Sequence, residues 1–548
     1  MRKLFLIISA FLVGGISVIS YFAHSALWAF VIVGPILWMG FEDYFQKGQA
    51  IRRNFPIVGR FRYVFEAIRP EINQYFVESN SDGVPFSREQ RSVVYQRAKK
   101  VTDTLPFGTQ QNVYEVGYEW LGHSLAPTII EPGAMRIKVG GPQCTQPYSA
   151  SIFNISAMSY GALSKNAVLA LNGGAKDGGF AHNTGEGGLT PYHLENGGDL
   201  IWQIGTGYFS CRNPDGTFCP EKFKVNAAYP QVKMIEIKLS QGAKPSHGGI
   251  LPAKKVTEEI SRIRHVPMGV DVISPPAHST FSTPVGLLEF VQQLRELSGG
   301  KPVGFKLCIG KRREFIAICK AMVQTGITPD YISVDGGEGG TGAAPLEFSN
   351  NVGFPGIDGL VFVQNMLVGF GLRDKVKLFT AGKVTTGFGI IKRLSLGADA
   401  IYSARAMMMA LGCIQALRCN TNHCPTGVAT QDPSLVAGLV VGDKRKRVTN
   451  FHHETLASVR SMLEAMGLDG PQSLRPWHVL KRVGPYEIKN YSEIFSYLKQ
   501  GEMLRTPVPE ALRVAFEGSI AESFKHPSEI GVEVNRDLKK QAKIAMGV

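Results

Sequence analysis

A chain of 548 residues with 44% hydrophobic content has room for a large core plus accessory segments, and 61 glycines suit a backbone that must approach ligands closely. The formal charge of +14 is dispersed and comes with no RNA- or DNA-binding signature, which excludes nucleic acid as a partner and favours a membrane surface. Eight cysteines scattered over this length exclude a disulfide scaffold and fit a reduced, cytosolic setting.

Two apolar runs come first. Leu4 to Phe22 carries no charge, and Ala26 to Phe41 follows after Ala23-His24-Ser25; each is near the lower end of the roughly 17–25 residues that cross a bilayer. Arg2 and Lys3 precede the pair while Lys47, Arg52, Arg53, Arg60 and Arg62 follow it, so the positive-inside rule keeps both flanks cytoplasmic. Residues 1–41 are therefore expected to be a membrane anchor of two short transmembrane helices, with lipid as a partner. The protein is then expected in the inner (cytoplasmic) membrane, the remainder facing the cytoplasm. A cleavable signal peptide is the rival, disfavoured because no small-x-small site precedes the second run. A single helix interrupted at Gly34-Pro35 is the other reading.

Residues 42–125 read as a polar, mainly helical juxtamembrane segment punctuated by Pro56, Pro70, Pro85 and Pro106. Ser87-Arg88-Glu89-Gln90-Arg91 opens like a capped helix running to about Val101. With no catalytic constellation, the segment is expected to be a collar that joins anchor to enzyme and packs on the barrel.

From 126 to 440 the texture becomes that of a parallel α/β domain. Strand candidates Ile152–Ile155, Met268–Ile273, Val303–Leu307, Tyr331–Val334, Lys377–Thr380 and Ala400–Tyr402 alternate with helical stretches such as 284–297, 312–325 and 386–396. The unusual residues collect at strand ends. Ile155-Ser156-Ala157-Met158-Ser159-Tyr160-Gly161 ends the first with small side chains. Lys306 lies inside an apolar strand, where it meets an anion or an electron-rich ring, unless it only reaches solvent from the strand end. Asp335-Gly336-Gly337-Glu338-Gly339-Gly340-Thr341-Gly342, Gly382, and Ser403-Ala404-Arg405 follow later strands. In a (β/α)8 TIM barrel these positions share one face, with phosphate after the last strands, and the arrangement suits a flavin phosphate. Taken alone, the glycine-rich loop is more often a turn than a cradle.

Two polar segments add to this. Ser240 to Gly249, with Arg262, Arg264 and His265 beyond it, gathers cations and amides around a small dianion, or is a solvated loop. Asn183-Thr184-Gly185-Glu186-Gly187-Gly188 sets a carboxylate among glycines, to hold an ammonium-like group or to close a turn. Cys413, Cys419 and Cys424 then form a C-x5-C-x4-C set ending in Pro425, a spacing that lets thiolates converge on a soft metal centre. Three cysteines packed as small hydrophobes are the alternative, and zinc fits less well without a C-x2-C pair.

The segments ISAMSYGALS (155–164), HNTGEGG (182–188), IKLSQGAKP (237–245), LPAKKVTEEISRIRH (251–265), ISPPAH (273–278), GGTGAAP (339–345) and GCIQALRCNTNHCPTGVATQDP (412–433) together resemble the flavin-binding synthase domain of glutamate synthase. RRNFPIVGRFRYVFE (52–66) and PFSREQRSVVYQRAK (85–99) resemble its stand-alone members, the FMN-binding glutamate synthase-related proteins. The resemblance implies a TIM barrel holding FMN and a 3Fe-4S cluster on Cys413, Cys419 and Cys424. It implies an oxidoreductase of the CH-NH2 class that reduces 2-iminoglutarate, from 2-oxoglutarate and ammonia, to L-glutamate. By the same resemblance Gln241, Lys244 and Arg264 hold the oxo acid, with Lys306 and Glu186 as catalytic residues. Ala157, Met158, Ser159, Lys306, Gly339, Gly340, Thr341, Gly382, Ser403 and Ala404 surround FMN.

Departures bear on the substrate. The chain opens on an apolar segment in place of the cysteine-nucleophile glutaminase domain of the large synthases, and His247 replaces a carboxylate in K-P-G-E-G-G. No second nucleotide-binding domain or C-x2-C ferredoxin repeat is seen, so an external donor, ferredoxin-like or membrane-bound, is expected. An N-methylglutamate synthase-like enzyme using another amine stays open, as does a membrane-tethered flavin-binding assembly protein without turnover. Residues 441–548 are expected to form a helical C-terminal segment with a Lys-rich end at 539–543.

Overall fold

The computed structural model describes every residue except 102, 103, 105 and 531–548, so the Lys-rich end at 539–543 lies outside the described residues. The chain divides into two compact units, Met1–Glu89 and Gln90–Val548.

In the first unit, helices Arg2–Phe22 and Phe30–Phe45 flank a 3-10 turn, His24–Ala29. Arg2–Phe22 and His24–Phe45 are each long and apolar enough to cross a membrane by length and composition. Phe5 near the start of the first faces Phe41 near the end of the second, edge to face at 5.2 Å, so the two run antiparallel. Short helix Ala50–Asn54 and helix Val58–Ile72 follow, ending in a π-turn, Asn73–Val77. A helix at Arg88–Lys99 matches the one expected from Ser87. The described residues from Lys100 to Tyr118 are turns and extended chain, and Glu119–Leu121 is a strand, so the expected helical character of 42–125 stops at Lys99. Gly108 and Gly117, both at positive φ, break helical periodicity there.

The second unit is built on a closed barrel of eight parallel strands: β1 Phe153–Ile155, β2 His182–Asn183, β3 Leu200–Ile204, β4 Val232–Lys238, β5 Val303–Cys308, β6 Tyr331–Asp335, β7 Lys377–Thr380 and β8 Ala400–Ser403. All eight are buried on both faces apart from two half-buried lysines, as parallel strands sheathed by helices must be. Helices after β1, β5 and β7 start at hydroxyl caps or keep the predicted bounds: Ser164 caps Lys165–Gly178, Arg312–Thr325 follows β5, and Thr386 caps Gly387–Ser395.

Five of the six strand candidates lie in the barrel, and Met268–Ile273 does not. Its last two residues instead pair antiparallel with Ile250–Leu251, in a ribbon outside the barrel. Gly269 turns the chain at φ 73°, leaving Met268, Val270 and Ile273 exposed. Its expected place is filled by β4, whose sequence mixes apolar residues with Lys233, Glu236 and Lys238.

The hairpin Arg136–Val139 with Tyr148–Ser151 closes the N-terminal end of the barrel. Val139, Tyr148 and Ala150 join Met234, Tyr331, Phe379 and Ala400 in one buried cluster. Tyr148 Oη donates to Asp199 at 2.8 Å just before β3, and the Gly141 amide donates to Asp330 at 2.6 Å just before β6.

Residues 441–530 are less helical than expected. After helix Val441–Ala465, strands Val479–Arg482 and Ile488–Asn490 form an antiparallel sheet with Glu119–Leu121, because Gly484-Pro485 turns the chain back on itself.

Candidate active site at the barrel mouth

Lys306 on β5 and Lys238 on β4 are register partners, two buried lysines side by side at the C-terminal ends of adjacent strands. Such a pair persists only where each ammonium has an anion. Lys306 Nζ lies 3.1 Å from Asp335 Oδ2 at the end of β6, and that oxygen also accepts from the Gly242 amide at 3.1 Å. Lys238 pairs with Glu186 in the loop after β2, and Lys238 Nζ also donates to Gln241 Oε1 at 2.9 Å. Burial acts to lower the Lys306 pKa, but Asp335, Glu236 and Glu186 hold it above the usual range, so the ammonium is retained. Gly242 makes this closure possible. A Cβ there would fall 1.6 Å from the Gly336 carbonyl oxygen, so only glycine lets the loops after β4 and β6 touch.

Glu186 is walled in by backbone: a Cβ on Gly249 would sit 2.6 Å from its Oε1. Burial raises its pKa, yet Lys238, Lys244 and Arg264 together hold it below the ordinary value. Lys244 is itself pushed down to about 8, by burial first and then by Lys238. Arg264, at the end of helix Glu258–Arg264, donates to the Tyr160 carbonyl at 2.7 Å and lies over the Phe209 ring at 5.1 Å. Its pKa is lowered to about 10 by burial. Gln241 Nε2 reaches Thr341 Oγ1 at 3.4 Å, tying the loop after β4 to the glycine-rich loop after β6. The expected group Lys306, Glu186, Gln241, Lys244 and Arg264 is thus brought to one end of the barrel. His247 packs edge-on against Phe348 at 5.4 Å.

Around the rim lie the expected cofactor positions. Met158 is buried, and Ala157, Ser159 and Ala404 are half-buried. Gly340 and Thr341 are exposed, while the Ser156 amide donates to the Ser403 carbonyl at 3.0 Å, joining the loop after β1 to the end of β8. A Cβ on Gly382 would lie 2.8 Å from Glu338 Oε1, and one on Gly340 would lie 2.7 Å from Arg405 Nε. Glu338 Oε2 accepts from the Gly356 amide at 2.8 Å, the first residue of helix Gly356–Gly369, and its charge acts on Arg393, Arg405 and Lys383. An anionic side chain already rests among these cations and amides, so their chemistry fits a phosphate ester.

The cysteine loop is fastened beside the loop after β1. Ser164 Oγ donates to the Gly427 carbonyl at 2.7 Å, Gln431 Nε2 to that of Leu163 at 2.8 Å, and Lys255 Nζ to those of Ala162 and Ala429 at 2.9 and 2.8 Å. Burial raises the Cys413 thiol to about 11 and also raises Cys419. Burial acts to raise Cys424 too, but Thr426 Oγ and the amides of Ala429, Thr426 and Val428 hold it below the ordinary value. A thiolate met by several N–H groups is a fitting ligand for a cationic cluster. Among the described residues, however, no three His, Cys, Asp or Glu groups are arranged to hold a metal ion.

Sequence reasoning missed Lys238 and Glu236. Glu236 is fully buried in the barrel, accepting from Asn183 at 2.8 Å and Gln203 at 2.7 Å, and burial raises its pKa despite the nearby Lys306. Both stand in β4, where the signal that marked Lys306, a charge inside an apolar strand, was equally present.

Residues 139–469 match the family described as a conserved region in glutamate synthase. The glutamate synthase large subunit-like protein YerD of Bacillus subtilis is 36% identical over 496 residues, covering 82% of this chain and 94% of that protein. The archaeal-type glutamate synthase (NADPH) of Thermotoga neapolitana is 36% identical over 339 residues, 61% of this chain and 63% of its own length. Among solved structures, the flavin-binding domain of baker's yeast flavocytochrome b2 superposes with a TM-score of 0.38 at 12% identity, covering 76% of this chain and 85% of that one, a likeness too distant to carry argument. With more than half of the chain matched to the family and one relative aligned over nearly its whole length, the chain belongs to the glutamate synthase family.

Proposed function

We propose that this chain is a glutamate synthase-like, flavin-dependent oxidoreductase that reduces 2-iminoglutarate, formed from 2-oxoglutarate and ammonia, to L-glutamate. The observation that carries this reading is the buried cation group at the barrel mouth. Lys238, Lys244, Arg264 and Lys306 outnumber the carboxylates among them, Glu186, Glu236 and Asp335, leaving positive charge to receive an anionic substrate.

In this reading Arg264 and Lys244 bind the two carboxylates of the oxo acid, and Gln241 orients it. Glu186, kept ionised by its cationic neighbours, receives the ammonium group of the product. Lys306, kept charged by Asp335, holds positive charge at the base of the site. Gly339, Gly340, Thr341, Gly382, Ser403, Ala404 and Ala157–Ser159 form the cradle for FMN, with Arg405 and Arg393 toward its phosphate. Cys413, Cys419 and Cys424 would hold a 3Fe-4S cluster. When bound, FMN would supply hydride chemistry, and a cluster on these cysteines would supply an electron path from an external ferredoxin-like or membrane-bound donor. Residues 1–45 anchor the chain in the inner membrane with the barrel domain in the cytoplasm, a reading supported by the length and apolarity of the two helices.

The test is anaerobic. Protein purified without oxygen is assayed for flavin and iron, reduced, and mixed with 2-oxoglutarate plus 15N-ammonia or methylamine. Flavin reoxidation with 15N-glutamate formed is the expected result. N-methylglutamate from methylamine alone moves the assignment to another amine, and no reoxidation by either leaves a binding protein without turnover. Flavin without iron removes the cluster from the scheme.

A further inference from the structure

Helix Val58–Ile72 takes no part in the site described above. At helical periodicity Val58, Phe61, Val64, Phe65, Ile68 and Ile72 fall on one arc of about 120°. Each of these six is 41–61% exposed. A helix of a soluble domain turns such an arc toward its core, whereas within its own unit this one is left largely exposed. Arg62 and Arg69 border one edge of the arc and Glu71 the other; Arg69 lies 4.0 Å from Glu66, and Arg62 has no ion pair among the described residues. The helix is held from the other side, where a Cβ on Gly59 would lie 2.9 Å from the Arg52 Cα.

Its direction is set by a clamp at the foot of the second apolar segment. Asp43, fully buried, accepts from Arg52 Nε at 2.6 Å, Arg60 Nε at 2.8 Å and the Ile57 amide at 3.0 Å. Ile57 stands at φ 67°, a region that β-branched residues avoid, so the turn into the helix is imposed by these contacts against local preference.

We propose that helix Val58–Ile72 lies in the plane of an anionic bilayer surface, its apolar arc in the acyl boundary and Arg62 and Arg69 at the headgroup phosphates. An apolar arc with arginines along one edge complements such a surface in hydrophobicity and, on that edge, in charge. The clamp joins it directly to a segment apolar enough to enter the same bilayer. The proposal rests on the membrane reading of residues 1–45 for the source of that surface.

The test uses the full-length chain in bilayers of mixed phosphatidylcholine and phosphatidylglycerol, with an environment-sensitive fluorophore on Phe65→Cys or, separately, on Glu66→Cys, and the wild-type labelling background subtracted. Bromine on the lipid acyl chains is expected to quench the label at 65 at least about twofold more than the label at 66, and aqueous iodide to do the reverse. Substituting phosphatidylcholine for all the phosphatidylglycerol, or combining Arg62→Gln with Arg69→Gln, is expected to reduce lipid quenching at 65. Iodide quenching both labels equally overturns the proposal, as does a 65 label shielded from both quenchers by a second copy or by the barrel domain. Carbonate extraction scores residues 1–45 separately. A chain that resists extraction while its 65 label sits in water sinks this inference and leaves the anchor standing. A chain released by carbonate whose 65 label is still lipid-quenched on anionic vesicles upholds the inference without the anchor.

Discussion

The barrel mouth and the N-terminal unit invert the usual partition of side chains in opposite senses. At the mouth, Lys238, Lys244, Arg264 and Lys306 are buried, whereas in the first unit Phe11, Trp28, Phe61 and Phe65 are largely exposed. Neither arrangement is stable for a free surface in water, since charge dislikes burial and large apolar area dislikes exposure. Each departure is offset differently. Lys306 and Lys238 are paired within the chain with Asp335 and Glu186, so the mouth meets part of its buried charge itself. Phe61 and Phe65 meet only each other's rings at 6.4 Å and stay exposed, and the proposed bilayer is what would cover them.

The sharpest way to break this contrast is Lys306→Met. It leaves Asp335 and Glu236 buried without their cation and is expected to lower unfolding free energy by about 3–5 kcal/mol, read from a denaturant midpoint. Arg264→Ala is expected to raise the KM for 2-oxoglutarate about 100-fold with a smaller change in kcat, because it removes charge-assisted contacts made equally in ground and transition states. Lys244 adds a pH signature. Its lowered pKa of about 8 means that oxo-acid affinity weakens about tenfold per pH unit above that value, a slope that Lys244→Met abolishes. The sign for stability is the opposite. Between about 8 and 10.5 the unfolded chain holds the proton that the folded chain has lost, so Lys244 makes stability rise with pH across that window. The smallest effect sharpens the other side of the comparison. Phe65→Ser, on an exposed face, is expected to leave the barrel's unfolding transition within about 0.5 kcal/mol in detergent.

The barrel was legible where apolar strands alternated with helices of full length, as at Val303–Leu307 followed by 312–325. It was not legible at β2, which has two residues and no period to read, nor at β4, where Lys233, Glu236 and Lys238 disguise a strand buried in the barrel wall. Lys306 drew attention as a charge between apolar neighbours. Lys238 carried the same signal but lay between the strand candidates and the polar segment that begins at Ser240, and was passed over. The sheet joining Glu119–Leu121 to Val479–Arg482 was out of reach for a different reason: its strands are three and four residues long and some 360 positions apart in sequence. Roles for Gln241, Glu186 and the FMN positions came from family resemblance, since spacing alone cannot tell which loops will meet. That Gly242 presses against Gly336 is a fact of three dimensions.

The hairpin Arg136–Val139 with Tyr148–Ser151 lies over the N-terminal end of a barrel whose interior is already filled by side chains. Whatever reacts above Lys306 arrives and departs over the same rim, because the floor is sealed by Val139, Tyr148 and Ala150. Under the proposed function, oxo acid entering and amino acid leaving use that one mouth and its cations, so glutamate is expected to inhibit competitively with 2-oxoglutarate.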